Sequence, residues 1–217
     1  LEDLVAAIGS QALGGSLCVD QTKVVDVVAA LSKTLPAEVD RKRVTRLNVL
    51  GEGHYGEVVK ATVAQPGSVA LTVAAKSLKL DACDATSREA LLREAALMAL
   101  CHHSNIVRLV GVVTVPRNMP PLLLIEYCEH GTLLEIVRSD DSSDVHSLLS
   151  FCHDVACGLS YLGSRRIVHR DVAARNILVD ATFTCKLSDF GMSASVVGEE
   201  SDYSSNYVRM NGELPVR

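Results

Sequence analysis

The chain has 217 residues, of which 48% are hydrophobic and 22% are charged, and its formal net charge is -5. This size and composition predict a globular protein with a buried core and exclude a disordered one. The acidic net charge argues against a nucleic-acid-binding protein, which would carry a basic surface, so we expect no nucleic-acid partner.

Cysteines and apolar runs indicate the compartment. The seven cysteines form no CxxC pair and no zinc-binding spacing, so we expect reduced thiols in an intracellular compartment. No apolar run reaches the roughly 18 residues of a membrane helix. We therefore expect a link to a membrane only through a segment that this chain does not contain. Because the chain starts at Leu1 and stops abruptly at Arg217, we expect it to be part of a longer protein.

Residues 1–46 carry helical patterns without any chemistry. Apolar residues recur at helical spacing over 1–8 and 24–35, and Pro36 ends the second pattern. We expect this segment to serve in packing or linkage. Its last residues are basic, and they are interpreted either as a solvated stretch ahead of a strand or as a patch that faces a membrane: Arg41, Lys42, Arg43 and Arg46.

From residue 47 the pattern changes to strands and later to helices. Runs rich in Val, Leu and Ile, separated by Gly or Pro, predict strands at 47–50, 57–64, 69–76, 107–115 and 122–127. Helical spacing predicts helices over 87–100 and 145–162. Strands followed by helices predict an α+β fold with two lobes. The β-rich lobe with one helix would cover about 47–127, and an incomplete helical lobe would follow from about 128.

A glycine motif lies at the start of the strand-rich part. Residues 51–58 read Gly-Glu-Gly-His-Tyr-Gly-Glu-Val, and Gly51, Gly53 and Gly56 let the backbone N–H groups approach phosphates. The same GxGxxG spacing marks dinucleotide folds, in which a helix opens at the glycines. Here a β-rich run follows instead, and Val58 completes the longer form GxGxxGxV. The motif therefore favours a phosphate loop between two strands.

A lysine and a glutamate follow the glycine motif. Lys76 ends the strand-like run Val73-Ala74-Ala75-Lys76, where its ammonium could contact the α- and β-phosphates of a nucleotide. The next predicted helix carries Glu94, and a buried ion pair with Glu94 would hold that ammonium in position. Taken alone, the lysine would be a solvated charge and the glutamate a surface residue.

The segment 167–176 reads Ile-Val-His-Arg-Asp-Val-Ala-Ala-Arg-Asn and carries the strongest signal. Asp171 can accept a hydroxyl proton, while Asn176 can ligate a magnesium ion. Asp189-Phe190-Gly191 begins eighteen residues after Asp171 and adds a carboxylate for the metal. Mg²⁺ prefers a few carboxylate and amide oxygens together with substrate phosphates, which this set supplies.

With these motifs in this order, the chain from Leu47 to its last residue resembles the eukaryotic protein kinases and, within them, the tyrosine kinases. Their catalytic loop typically reads HRDLAARN, where this chain has HRDVAARN, and Ala173 stands where serine/threonine kinases have lysine. The resemblance implies a two-lobe kinase fold that transfers the γ-phosphoryl of ATP to tyrosine hydroxyls of protein substrates, with Mg²⁺. The segment Leu214-Pro215-Val216-Arg217 is similar to the start of their substrate-binding loop.

The resemblance also implies roles for single residues. Asp171 would act on the substrate hydroxyl beside Arg175, and Asn176 and Asp189 would hold the metal. The implied ATP-binding residues are Gly51, Glu52, Gly53, Gly56, Val58, Ala74, Lys76, Glu126, Cys128 and Leu178. Ile125 would be the gatekeeper, and the stack of an active kinase would be Met98, Leu109, His169 and Phe190. For these apolar residues, ordinary core packing is an equally valid interpretation.

Regulation and location are implied in the same way. The implied regulatory residues are Arg170, Phe190, Gly191, Tyr203 and Tyr207. A phosphate on Tyr207 could order the activation loop against Arg170, although two exposed loop tyrosines without a role are the alternative. Residues 36–46 are similar to the juxtamembrane segment of receptor kinases. The chain would then lie on the cytoplasmic side of a plasma-membrane receptor that self-associates for trans-autophosphorylation.

Two alternatives to an active kinase stay open from the sequence. One is a pseudokinase that binds or scaffolds on the same fold, although the complete set Lys76, Glu94, Asp171, Asn176 and Asp189 argues against it. The other is an inactive fragment, because the helices that follow the LPVR segment in kinases are absent from this chain.

Overall fold

The computed structural model describes residues 38–52, 56–80, 83–139 and 144–195. The first lobe is an antiparallel sheet of five strands in the order β1-β2-β3-β5-β4. Its strands are β1 (Val44–Glu52), β2 (Gly56–Gln65), β3 (Ser68–Leu78), β4 (Leu109–Val113) and β5 (Leu122–Glu126). Helix α1 (Ala85–Ala99) follows β3 in the chain. This is the predicted β-rich lobe with one helix.

The second lobe holds the helices α2 (Leu133–Arg138) and α3 (Val145–Ser164). Four short strands follow, namely β6 (Ile167–Val168), β7 (Ile177–Val179), β8 (Cys185–Leu187) and β9 (Ala194–Ser195), in which β6 pairs with β9 and β7 with β8. The two-lobe fold is confirmed. The expectation of a mainly helical second lobe holds only up to Ser164, because the later strands pair with partners that local periodicity does not reveal.

Polar side chains set where the helices begin. Asp84 caps α1 by accepting a hydrogen bond of 2.6 Å from the backbone N–H of Ser87. Asp144 caps α3 through a bond of 2.7 Å from the N–H of Ser147. At α2, Thr132 and Glu135 form a reciprocal capping box. Each cap satisfies backbone donors that have no partner inside the helix, and this fixes the helix start.

The two faces of the sheet contribute to two separate apolar clusters. In β3, Val73 and Ala75 belong to a cluster with Val59 and Leu124, while Ala74 belongs to the larger cluster that also contains the buried residues of α1. Successive residues of a strand point to opposite faces, so Lys76 lies on the same face as Ala74. The strand period therefore directs the Lys76 side chain towards α1 and the second lobe.

The basic residues ahead of β1 are bound to the first lobe. The Nε of Arg43 donates to the carbonyl of Ala64 at 2.8 Å, and Arg46 pairs with Glu57 at 2.9 Å. Arg41 donates to the carbonyl of Pro120. The three arginines thus have partners in strands and loops of the first lobe, while the choice between a solvated stretch and a patch that faces a membrane stays a prediction.

Residues 1–37 lie outside the described ranges, so the predicted domain boundary at residue 46 stays a prediction. None of the helices in the described ranges meets the length and hydropathy that a bilayer span requires. The six cysteines within these ranges are free thiols.

A glycine in α3 allows the closest contact between this helix and its neighbours. A Cβ on Gly158 would lie 2.8 Å from the carbonyl oxygen of Asn105 and 2.9 Å from a methyl group of Leu187. Since both distances are below van der Waals contact, we expect Gly158→Ala to destabilise the fold by about 1–3 kcal/mol, in spite of the higher helix propensity of alanine.

Gly163 provides the matched control in the same helix. A Cβ there would have no neighbour within 4 Å, so Gly163→Ala is expected to leave the free energy of unfolding unchanged or to raise it by up to about 1 kcal/mol. The thermal midpoints of the two variants and the wild type measure this difference. Equal midpoints for the two variants would show that α3 does not pack against Asn105 and Leu187 as described.

Candidate active site

Lys76 joins three elements at the interface of the lobes. Its Nζ lies 2.8 Å from both carboxylate oxygens of Glu94 on α1 and 2.9 Å from Oδ1 of Asp189. The Glu94 side chain is only 5% exposed, while that of Lys76 is 29% exposed and that of Asp189 is half exposed. The structure therefore brings together the predicted lysine and glutamate, and it adds a direct contact with Asp189 that the sequence did not predict.

The charges of these three groups are coupled. Burial disfavours the Lys76 ammonium, but the carboxylates of Glu94 and Asp189 outweigh burial and raise the pKa of Lys76. Burial raises the pKa of Glu94, with Lys76 acting in the opposite direction. Partial burial would raise the pKa of Asp189, but the Lys76 ammonium lowers it below its ordinary value. Lys76 is therefore protonated and Asp189 is ionised at neutral pH.

The carboxylate of Asp171 is held from two sides. A 3-10 turn over Ala174–Asn176 brings both partners back towards it. Its Oδ1 accepts a hydrogen bond of 2.6 Å from Arg175, and its Oδ2 accepts one of 2.8 Å from the amide nitrogen of Asn176. Asn176 also donates to the Asp171 carbonyl at 2.9 Å. The carboxylate therefore has one orientation, at a partly exposed position where a hydroxyl group can approach it.

Hydrogen bonds connect the segment that carries Asp171 to the segment that carries Asp189. The Ser188 hydroxyl and backbone N–H donate to the Asn176 carbonyl at 2.8 and 2.9 Å. The imidazole Nε2 of His169 lies 2.9 Å from the Ser188 carbonyl, and its ring is 5.1 Å from the ring of Phe190. These contacts hold the two backbone segments together, and they do so without involving the side chains of Asp171 and Asp189.

Two residues of these segments have left-handed backbone conformations. Arg170 has a φ of 67° and Asp189 a φ of 60°. Residues other than glycine adopt this region rarely, and the surrounding hydrogen bonds must offset its cost. Arg170 contributes such a bond, because its Nε donates to the carbonyl of Met192.

The donor groups fit a magnesium ion. Asn176 uses its amide nitrogen on Asp171, so its carbonyl oxygen is the atom available for a cation. Asp189 adds a carboxylate that is ionised through its contact with Lys76. One amide oxygen and one carboxylate, with the remaining positions left to water and phosphate, are what Mg²⁺ prefers in nucleotide sites.

An apolar group lies beside these polar residues. Ala74, Ile125 and Cys128 are buried members of the larger cluster, and Val58 of β2 and Leu178 of β7 pack against it. Burial raises the pKa of the Cys128 thiol to about 12, so this thiol is neutral. The residues predicted to contact adenine thus belong to, or pack on, one cluster that includes both lobes. Of the predicted stack, Met98, Phe190 and Leu109 belong to or pack on the same cluster.

The glycine motif is described only in part. Gly51 and Glu52 end β1, Gly56 begins β2, and Gly53 lies outside the described residues. A Cβ on Gly56 would lie 2.6 Å from the Ser77 carbonyl, so only glycine permits this approach to β3. The carboxylate of Glu52 pairs with Lys79 at 2.8 Å. Tyr203 and Tyr207 also lie outside the described residues, so their roles stay predictions.

The structure shows one cluster of charges that the sequence did not indicate. The carboxylate of Glu126 accepts a hydrogen bond of 2.7 Å from the N–H of Arg108 and lies 3.1 Å from the ammonium of Lys186. Asp180 lies 3.5 Å from the same ammonium. Glu126 was predicted only for backbone contacts with a nucleotide, whereas its side chain connects the two lobes. Its partner Lys186 lies in the short strand β8, and the local sequence around this lysine does not indicate a contact with the other lobe.

The chain is similar to a known family and to several known proteins. The family model of protein tyrosine and serine/threonine kinases matches residues 44–217. Ephrin type-B receptor 1 of Gallus gallus is 39% identical over 183 residues, which are 83% of this chain and 18% of the receptor. Ephrin type-B receptor 4 of Homo sapiens is also 39% identical, with the same coverage. Ephrin type-A receptor 5 of Rattus norvegicus is 36% identical over 181 residues, which are 83% of this chain and 17% of the receptor. The chain therefore spans less than a fifth of the length of these relatives.

Proposed function

The chain belongs to the family of protein tyrosine and serine/threonine kinases, and from this premise we propose that it acts as a protein tyrosine kinase. The observation that carries the proposal is the contact of the Lys76 ammonium with both Glu94 and Asp189. That contact joins the strand, the helix and the Asp-Phe-Gly segment in the arrangement that phosphoryl transfer requires. The alternative of a pseudokinase gives no reason for the full polar set to be assembled.

Asp171 has the central role in the proposed mechanism. Its carboxylate accepts the proton of a substrate tyrosine hydroxyl as the hydroxyl oxygen bonds to the γ-phosphorus of ATP. The bond from that phosphorus to the bridging oxygen breaks, and ADP leaves with the electron pair. Arg175 and Asn176 hold the carboxylate in orientation, so most of the rate acceleration comes from positioning and electrostatics.

Kinases of this family use ATP and Mg²⁺. In this chain, Lys76 would contact the α- and β-phosphates, and the glycine motif with Gly51 and Gly56 would cover them. Asn176 and Asp189 would hold the magnesium ion, which when bound neutralises the charge of the phosphates. Val58, Ala74 and Leu178 would enclose the adenine, next to the backbone of Glu126 and Cys128.

The choice of tyrosine as the substrate is supported by the catalytic loop. Ala173 occupies the position at which serine/threonine kinases usually have a lysine. The guanidinium of Arg175 donates a hydrogen bond of 2.6 Å to Oδ1 of Asp171. The relatives are named as ephrin receptors, and this supports a receptor-type kinase whose catalytic domain lies on the cytoplasmic side of the plasma membrane. Self-association for trans-autophosphorylation, with Tyr203 and Tyr207 as acceptors, belongs to the same proposal.

Phosphate transfer to a poly-Glu/Tyr peptide tests the proposal. The full-length protein is incubated with ATP, Mg²⁺ and this peptide, and a serine-containing peptide is run in parallel. We expect phosphotyrosine on the first peptide and no phosphoserine on the second. If a folded protein binds ATP but transfers no phosphate to either peptide, the pseudokinase alternative replaces the kinase.

A further inference from the structure

The position of α1 decides whether Glu94 reaches Lys76, and Arg88 in the first turns of this helix contacts the rest of the lobe. The Nη2 of Arg88 donates to the carbonyl of Thr114 at 3.0 Å. Its Nη1 donates to the carbonyls of Met119 and Arg117 at 3.0 and 3.2 Å. One guanidinium therefore binds three carbonyl groups of the segment that connects β4 to β5. A planar group with several fixed donors suits this task, whereas the lysine ammonium is a single point charge.

A pocket of about 270 Å³, open to solvent on one side, lies between the start of α1 and this segment and is lined among others by Cys83, Ala85, Met119 and Pro120. Arg88 also lines this pocket. The hydrogen bonds of Arg88 bridge this pocket and tie this end of α1 to the connecting segment.

The connecting segment is itself anchored on its other side. The carboxylate of Glu38 accepts hydrogen bonds of 2.7 Å from both the backbone N–H and the hydroxyl of Thr114. Thr114 is thus bound through its N–H to the chain ahead of β1 and through its carbonyl to α1. Arg41 adds a bond to the carbonyl of Pro120 at the far end of the segment. The carbonyls that receive Arg88 are therefore fixed relative to the sheet.

We propose that Arg88 is a positioning residue of the kinase, which sets the Lys76–Glu94 pair by holding α1 against the segment between β4 and β5. Glu94 follows Arg88 by six positions, or about 9 Å along the same helix, so a shift of this end of α1 also displaces Glu94. Arg88 is not among the residues that we propose for contacts with the nucleotide or the substrate. This inference rests on the proposed function, because it assumes that the pair positions the Lys76 ammonium on nucleotide phosphates.

The variants Arg88→Met, Arg88→Lys and Arg93→Met of the full-length protein test the proposal. Arg93 is the matched control, since it lies on the same helix next to Glu94 but pairs only with the exposed side chain of Glu89 in the described structure. The affinity for the fluorescent nucleotide TNP-ATP is titrated in Mg²⁺, and kcat and KM for poly-Glu/Tyr are measured separately. Loss of several hydrogen bonds to a charged group is expected to weaken nucleotide affinity about tenfold in Arg88→Met.

We expect an intermediate loss in Arg88→Lys and no change in Arg93→Met. The decisive measurement is the effect of Arg88→Met in a variant that already carries Glu94→Gln. If Arg88 acts through Glu94, the nucleotide affinity of this double variant should be less than about twofold lower than that of Glu94→Gln alone, because the effects of coupled residues are not additive. An equal loss in both backgrounds would overturn the proposal and show that Arg88 only stabilises the lobe. The same conclusion would follow if Arg88→Met behaved like Arg93→Met.

Three further outcomes separate this proposal from the proposed kinase function. If Arg88→Met fails to fold, Arg88→Lys carries the comparison of the two backgrounds. If the wild type transfers no phosphate but its nucleotide affinity depends on Arg88 only when Glu94 is present, the kinase function fails and the positioning role stands. If transfer occurs and the nucleotide affinity, kcat and KM do not depend on Arg88, the function stands and the positioning role fails.

Discussion

Replacing Asp171 by asparagine is expected to reduce kcat for tyrosine phosphorylation by about 10²–10⁴-fold, the range that a positioned general base contributes. An amide has nearly the size of the carboxylate but cannot accept the hydroxyl proton. The hydrogen bonds from Arg175 and Asn176, at 2.6 and 2.8 Å, would meet a neutral group, so orientation of the substrate hydroxyl is weakened as well. Nucleotide affinity should change little, since Lys76, Asn176 and Asp189 are intact.

The matched control for Asp171→Asn is Glu89→Gln. It makes the same change of a carboxylate to an amide on a side chain of α1 that is 51% exposed and far from the catalytic loop. Steady-state kinetics with poly-Glu/Tyr and titration with TNP-ATP are run on both variants. If Asp171→Asn retained more than about a tenth of the wild-type kcat, Asp171 would not be the proton acceptor.

Replacing Lys76 by methionine is expected to have two separate effects. The first is a loss of about 10²–10³-fold in kcat/KM, because a preorganised positive charge is removed from the phosphates. The second is a loss of stability. Glu94, whose side chain is 5% exposed, would lose its ammonium partner at 2.8 Å, and a buried carboxylate without a partner costs about 3 kcal/mol or more.

The double variant Lys76→Met, Glu94→Leu separates these effects. With both charges removed, the stability should return towards that of the wild type, while phosphate transfer stays as low as in Lys76→Met. Thermal midpoints and kinetics are measured in parallel, with Lys42→Met as an exposed lysine control ahead of β1. If the double variant were as unstable as Lys76→Met, the buried carboxylate would not be the cause of the lost stability.

Much of the site was readable from the sequence because its chemistry depends on short, ordered spacings. Asp171 and Asn176 lie five positions apart, and the 3-10 turn over Ala174–Asn176 brings Asn176 back to Asp171, so the contact depends only on this short segment. The alternation along β3 likewise determines that Lys76 shares a face with Ala74. The lobes were predictable for the same reason, since the strand and helix periods of the first lobe appear in its own residues.

Contacts between distant segments were not readable in this way. The pairing of β6 with β9 and of β7 with β8 joins short runs that carry no period of their own, and it makes the segment after α3 extended instead of helical. The contact of Lys76 with Asp189 joins residues 113 positions apart in the chain. A local pattern cannot report such contacts, because they depend on how the two lobes are packed.

The same limit applies to single side chains whose partners are backbone groups elsewhere. The sequence gives no sign of the side-chain partners of Arg88, Glu126 and Lys186, yet each of the three binds a group at least 18 residues away. The sequence by itself thus determined the family and the two lobes, and it supplied the residues that we propose carry the chemistry. Only the tertiary structure decided how α1 is held and how the lobes are connected, because contacts between residues distant in the sequence do not depend on the spacing of residues within either segment.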